Sequence, residues 1–148
     1  MRDLAVVDTS CLIALNKIEL LGILCKLYDK IFLPQMVIQE FGEKPDLSCI
    51  EVIKAEGPLR NLLTWELNLG NGEAETIAYG YEKKIRVVID DLKARKAAKK
   101  LGLKVTGTIG ILYKAQRRGL ITSAYKEIVK LKRKGFRISD EIISKLKE

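Results

Sequence analysis

Four short apolar runs constrain this chain more than any other feature: residues 4–8 (LAVVD), 30–33 (KIFL), 86–90 (RVVID) and 104–107 (KVTG). Each is too short for a helix. The first and third are β-branched and apolar without alternation, as expected of strands covered on both faces. Between them the periodicity is helical. Residues 9–18 and 19–28 read as helices, with Thr9 or Ser10 placed to cap the first. Pro34 stops the second strand and opens a helix whose apolar face is Val37, Ile38 and Phe41. Ala74, Ile77, Ala78 and Tyr81 share one helical face, and so do Ala94, Ala97, Ala98 and Leu101, with Gly102 ending the latter helix. Residues 108–119 follow the last short strand as a helix. Residues 47–57 fit a helix or a strand, and 58–70 read as a helix. Beyond Ile121 the pattern predicts two basic amphipathic helices, the last capped by Ser139.

Short buried strands alternating with helices predict an α/β fold: a three-layer α/β/α sandwich around a short, mostly parallel sheet. Ligands of such sheets bind beyond the carboxyl ends of the strands, near a topological switch point. That rule puts Asp8, Asp90 and Asp91 on one rim.

Composition narrows the chemistry. The chain has no histidine, which removes imidazole acid–base catalysis, His-based triads and His–metal sites. Cys11, Cys25 and Cys49 lack the paired spacing of a zinc site and are expected to be reduced core thiols. No apolar run approaches the ~20 residues of a membrane span, and the N-terminus lacks signal-peptide features. The expectation is a cytoplasmic protein with no membrane contact. Without repeats or linkers, residues 1–148 are expected to form one domain, with 121–148 a basic helical extension packed on it. Residues 114–148 carry eleven Lys and Arg against four Asp and Glu, whereas the preceding residues are nearly neutral. A basic end on a neutral body suits a polyanion such as nucleic acid, or is a solvated lysine-rich surface.

Alone, Asp8 could cap a helix, and Asp91 could cap the helix from Leu92 to Lys100. Together they matter more. Acids gathered at one rim repel each other and raise one another's pKa, and a divalent cation relieves this. Carboxylates without histidine suit Mg²⁺ or Mn²⁺, which offset charge on a phosphoryl group and acidify a bound water. Glu40 and Glu73, with Glu75 two residues on, are further candidates, although an acid in the first turn of a helix also favours the macrodipole. Lys93, Arg95 and Lys96 could contact phosphate or be a solvated face. Thr106 and Thr108 could bind phosphate at a helix N-terminus or cap it.

The segments VVDTSCLIAL, LPQMVIQEF, LGNGEAETIAYGY and VVIDDLKARKAAKKLGLKVTGTIGIL, in this order, resemble the PIN domain family over roughly residues 3–120. More narrowly they resemble its prokaryotic branch with a GEAE-type third motif, close to VapC-like toxins. The resemblance implies a PIN-like nuclease fold and a Mg²⁺- or Mn²⁺-dependent endoribonuclease, the toxin of a toxin–antitoxin pair. It implies RNA as substrate, a separate antitoxin chain and a homodimer, for which apolar helices such as 19–28 offer a surface. By position, Asp8 is the first metal ligand, supported by Thr9 or Ser10. Glu40 is the second acid, Glu73 the third with Glu75 as alternative, and Asp90 the fourth, a role Asp91 shares or replaces. The commoner toxin pattern has an Asp on the third-motif helix, where this chain has GEAE.

Rival readings fit less well. A haloacid dehalogenase-type phosphotransferase wants an Asp at position 10, where Ser10 stands. A receiver domain pairs its acids after the first strand, whereas here the pair comes late. The rival that remains is a non-catalytic RNA- or protein-binding module with a vestigial metal site.

Overall fold

The computed structural model describes residues 3–138. Its centre is a five-stranded sheet, every pairing parallel, built from β1 (Leu4–Val7), β2 (Lys30–Pro34), β3 (Ile50–Ile53), β4 (Arg86–Val88) and β5 (Val105–Thr106). Spatial order is β3-β2-β1-β4-β5. The chain winds outward from β1 to β3, then returns to lay β4 against the other side of β1. The switch point of the sheet is thus the β1–β4 seam, where Val7 stands opposite Val88.

Helices cover both faces, giving the three layers expected of the sequence. α1 (Thr9–Lys17), α2 (Leu24–Leu27), α3 (Gln35–Phe41), α7 (Thr108–Arg117) and α8 (Ala124–Arg133) lie on one face. They enclose a core with Ala5, Val7, Ile31, Leu33 and Val88. α4 (Pro58–Trp65), α5 (Asn71–Lys83) and α6 (Leu92–Lys100) lie on the other, packed on Val6, Phe32, Val87 and Ile89. Consecutive strand residues therefore enter opposite cores, which is why β1 and β4 are apolar apart from Arg86 at the start of β4. Among the described residues, no helix is long and apolar enough to cross a membrane.

Several local expectations are corrected. Residues 19–28 do not form one helix: a 3₁₀ turn over Leu21–Ile23 leads into the single turn of α2. Ile23, Leu24, Leu27 and Tyr28 are buried in the chain's own core, so this segment is not the apolar surface expected for a homodimer. Of the large exposed apolar side chains, Leu62, Trp65 and Leu67 lie instead close in sequence at the end of α4, while Ile13, Val52, Tyr81 and Leu92 are on other elements. The ambiguous 47–57 segment contributes the edge strand β3. The final predicted helix, with its Ser139 cap, lies outside the described residues, while α8 is capped by Ser123, which accepts from the Lys126 N–H.

The thiol expectation is corrected as well. Cys25 and Cys49 are joined in a disulfide, with their Cα atoms 5.6 Å apart, and only Cys11 remains a buried free thiol. The sheet causes this. Cys25 precedes β2 and Cys49 precedes β3, so parallel pairing of β2 with β3 brings the two together. The bridge removes cysteine usage as an argument for a reducing compartment. Closing a loop over a sequence separation of 24 should stabilise the fold by about 3–4 kcal/mol. A reductant should therefore lower the urea midpoint of the wild type and leave a Cys25→Ser/Cys49→Ser variant unchanged.

Candidate active site

The site lies beyond the carboxyl edge of the β1–β4 seam. The Asp8 N–H donates to the Val88 carbonyl, at 3.0 Å, which fixes Asp8 immediately past β1. Asp90 follows β4 two residues after Val88. α3 delivers Glu40 from one face of the sheet, and the first turn of α5 delivers Glu73 from the other.

Asp8 is only 4% exposed, and its Oδ1 has no hydrogen-bond partner. Its side chain does not cap α1, so the simplest structural role for it is unfilled. Burial, followed by the charges of Glu73, Glu40 and Asp90, pushes its pKa from 3.8 up to about 7, and the Thr9 backbone N–H offsets this only in part. Four carboxylates from four elements thus act on one another here.

Hydroxyl groups hold the acids in place. Thr9 and Ser10 cap nothing, contrary to expectation, because both lie inside α1 and point at carboxylates. Thr9 Oγ1 donates to Glu40 Oε1 at 2.6 Å, and Ser10 Oγ donates to Asp90 Oδ2 at 3.1 Å. Thr108 is fully buried and gives Asp90 two bonds: its N–H to Oδ1 at 2.7 Å and its hydroxyl to Oδ2 at 2.6 Å. The α7 N-terminus therefore binds an anion, as the sequence suggested, but the anion is Asp90. Thr108 is unavailable as a phosphate contact. Thr106 Oγ1 accepts from Arg86 Nη1 at 2.7 Å.

Glu73 Oε1 accepts from the Gly70 N–H at 3.0 Å. Burial first, and then Asp91 and Glu40, raise its pKa, against the lowering effect of that bond and of Lys93. Asp91 caps α6 by accepting from the Ala94 N–H at 2.9 Å and stands on the Glu73 side of the rim. Glu75 is drawn elsewhere. It pairs with Arg60 at 3.5 Å and accepts from the Met36 backbone, although burial still raises its pKa. Of the basic candidates, Lys93 and Lys96 are exposed on α6. Arg95 is half-buried and turns back to the Ile89 carbonyl, donating from Nη1 at 3.2 Å.

Two glycines, which side-chain chemistry alone does not single out, allow this packing. A Cβ on Gly72 would overlap Glu40 Oε1 and lie 3.3 Å from Asp8 Oδ1. A Cβ on Gly107 would overlap the Arg95 guanidinium and lie 3.0 Å from Asp90 Oδ1. Cys11 is no nucleophile: its thiol is fully buried, and burial and Asp90 push its pKa far up.

Among the described residues, no three acidic or cysteine side chains converge closely enough to hold a metal ion as they stand. The donor chemistry nevertheless suits a hard divalent cation. The donors are all carboxylate oxygens, one of them buried and unsatisfied, and their mutual repulsion is what such an ion relieves. Asp8, Glu40, Glu73 and Asp90 are the residues that would hold it.

A family model described as a PIN domain matches residues 4–148. No curated protein matches the chain. PIN domains are generally nucleases and typically use divalent metals. With the five-stranded parallel sheet, the acid rim at its switch point and a match over nearly the whole length, the chain belongs to the PIN domain family.

Proposed function

We propose that this protein is a divalent metal-dependent endoribonuclease that hydrolyses RNA phosphodiester bonds. The observation that carries the reading is Asp8: a buried carboxylate with an unpartnered oxygen, facing the charges of Glu73, Glu40 and Asp90. A fold keeps so unfavourable a group where ligand binding repays it. Asp8, Glu40, Glu73 and Asp90 hold the ion. Thr9, Ser10 and Thr108 fix the carboxylates from behind, so that little reorganisation is needed when it binds. Asp91 shapes the outer rim next to Glu73, and Glu75 supports α5 through Arg60 rather than facing the ion. When bound, Mg²⁺ or Mn²⁺ supplies positive charge that offsets the charge developing on the phosphate. The basic α6 and α7 surfaces beside the rim hold the backbone of the strand.

The likeness to VapC-like toxins extends this reading to a role as the toxin of a toxin–antitoxin pair, acting as a homodimer. One observation favours the rival reading of a non-catalytic binding module: the acids are not drawn together as they stand. Incubation of the protein with labelled RNA in Mn²⁺ or Mg²⁺ separates the two. Cleavage that requires the metal and falls at least a hundredfold in Asp8→Asn is the expected result. Equal RNA binding by both proteins with no cleavage of several RNAs would establish the binding module.

A further inference from the structure

Glu75 is a buried carboxylate, 8% exposed, with no place among the acids that would hold an ion. A buried charge persists only where donors satisfy it, and Glu75 draws on two other helices. One donor is the Met36 N–H in the first turn of α3, and the other is the Arg60 guanidinium of α4, at 3.5 Å. Arg60 reaches further. Its Nη2 also donates to Asn71 Oδ1 at 3.5 Å, so one guanidinium holds α5 at two points.

The spacing makes this a brace. Asn71 and Glu75 are four residues apart and share one face of α5. Between them lie Gly72, pressed against Glu40 and Asp8, and Glu73 itself. Met36 begins the helix that carries Glu40. The post to which Arg60 ties them is fixed, because Leu63, one turn further along α4, is buried in the core. An apolar pair could fill the place of Arg60 and Glu75 without the cost of burying charge. A directional ion pair joining three helices supplies what an apolar pair does not, a set spacing between them.

We infer that Arg60 is a positioning residue of the acid site: through Asn71 and Glu75 it sets the distance between Glu73 on α5 and Glu40 on α3. The inference rests on the reading of those acids as metal-holding. Arg60 itself touches neither acid and no reacting group. Its loss lets the first turn of α5 drift from α4 and α3, so that the carboxylates no longer present their oxygens to one ion.

The test measures Mn²⁺ affinity of the full chain by calorimetry at pH 8, beside urea unfolding of the same proteins in EDTA. Arg60→Ala should bind Mn²⁺ about tenfold more weakly, the usual effect of losing a group that orients metal ligands. Arg118→Ala is the control. It removes an arginine that joins Asp3 to the Leu27 carbonyl at the other end of β1, and it should keep wild-type affinity whatever stability it loses. Arg60→Leu/Glu75→Leu separates position from stability. An apolar pair can restore the midpoint lost in Arg60→Ala, but it leaves Asn71 and Met36 untied, so binding should stay about tenfold weak. Wild-type affinity in Arg60→Ala, or affinity that returns with stability in the double variant, would overturn the positioning role and leave the metal site standing. No saturable binding by the wild type would overturn the metal reading, and the role with it. If Arg60→Ala does not fold, the double variant decides by the same criterion.

Discussion

Asp8→Asn should make the metal-free protein more stable at pH 8 while abolishing its response to divalent cations. The folded state holds the Asp8 proton up to about pH 7, whereas the unfolded chain releases it near 3.8. Between those values the folded state binds more protons, so this contribution to stability is full below about pH 3.8 and is lost as pH rises through 7. The loss approaches about 4 kcal/mol at neutral pH, and the isosteric amide avoids it. Urea unfolding in EDTA should therefore show the variant ahead of the wild type by a few kcal/mol at pH 8, the gap closing towards pH 4. Mn²⁺ should then raise the wild-type midpoint at pH 8 and leave the variant unmoved. A variant that is no more stable than the wild type at either pH would show that Asp8 is not held under unfavourable charge.

Gly72→Ala should leave the fold nearly intact and remove the activity. Two effects on stability oppose each other. Alanine in α5 gains about 1 kcal/mol of helix propensity over glycine, while its Cβ overlaps Glu40 Oε1. That oxygen ends a flexible, exposed side chain, so Glu40 can swing away at little cost, and the net change in stability should stay within about 1 kcal/mol. The site does not recover so easily. Glu40 gives up its bond from Thr9, and the methyl group stands beside Asp8 Oδ1. A misplacement of about 1 Å at a reacting centre costs on the order of a hundredfold in rate. Thermal melting beside RNA cleavage checks both halves. A variant with full activity would remove Glu40 from the site.

The α/β architecture was legible because β1 and β4 are buried on both faces, leaving unbroken apolar runs that end in Asp8 and Asp90. β3 was not: it is an edge strand with Glu51 and Val52 exposed, so its pattern carries no clear period. The disulfide was invisible for a related reason, since only the pairing of β2 with β3 brings Cys25 to Cys49. At the site, the acids could be read as a set because strand ends converge in a parallel sheet. Their supports could not. Thr9 and Ser10 look like caps in sequence, and the use of Thr108 as an anchor for Asp90 depends on α7 starting beside β4. The resemblance put Glu73 first and kept Glu75 as the alternative, without a physical reason for the order. The difference comes from Arg60 on α4, which draws Glu75 away while Glu73 stays within the electrostatic reach of Asp8.

The most direct test is Mn²⁺ titration at pH 8, followed by calorimetry or electron paramagnetic resonance, on the wild type, Asp8→Asn and Glu75→Gln. Saturable binding by the wild type and Glu75→Gln, lost in Asp8→Asn, is what a metal site built on Asp8 requires. No saturable binding by the wild type, or binding that survives Asp8→Asn and vanishes in Glu75→Gln, would contradict it.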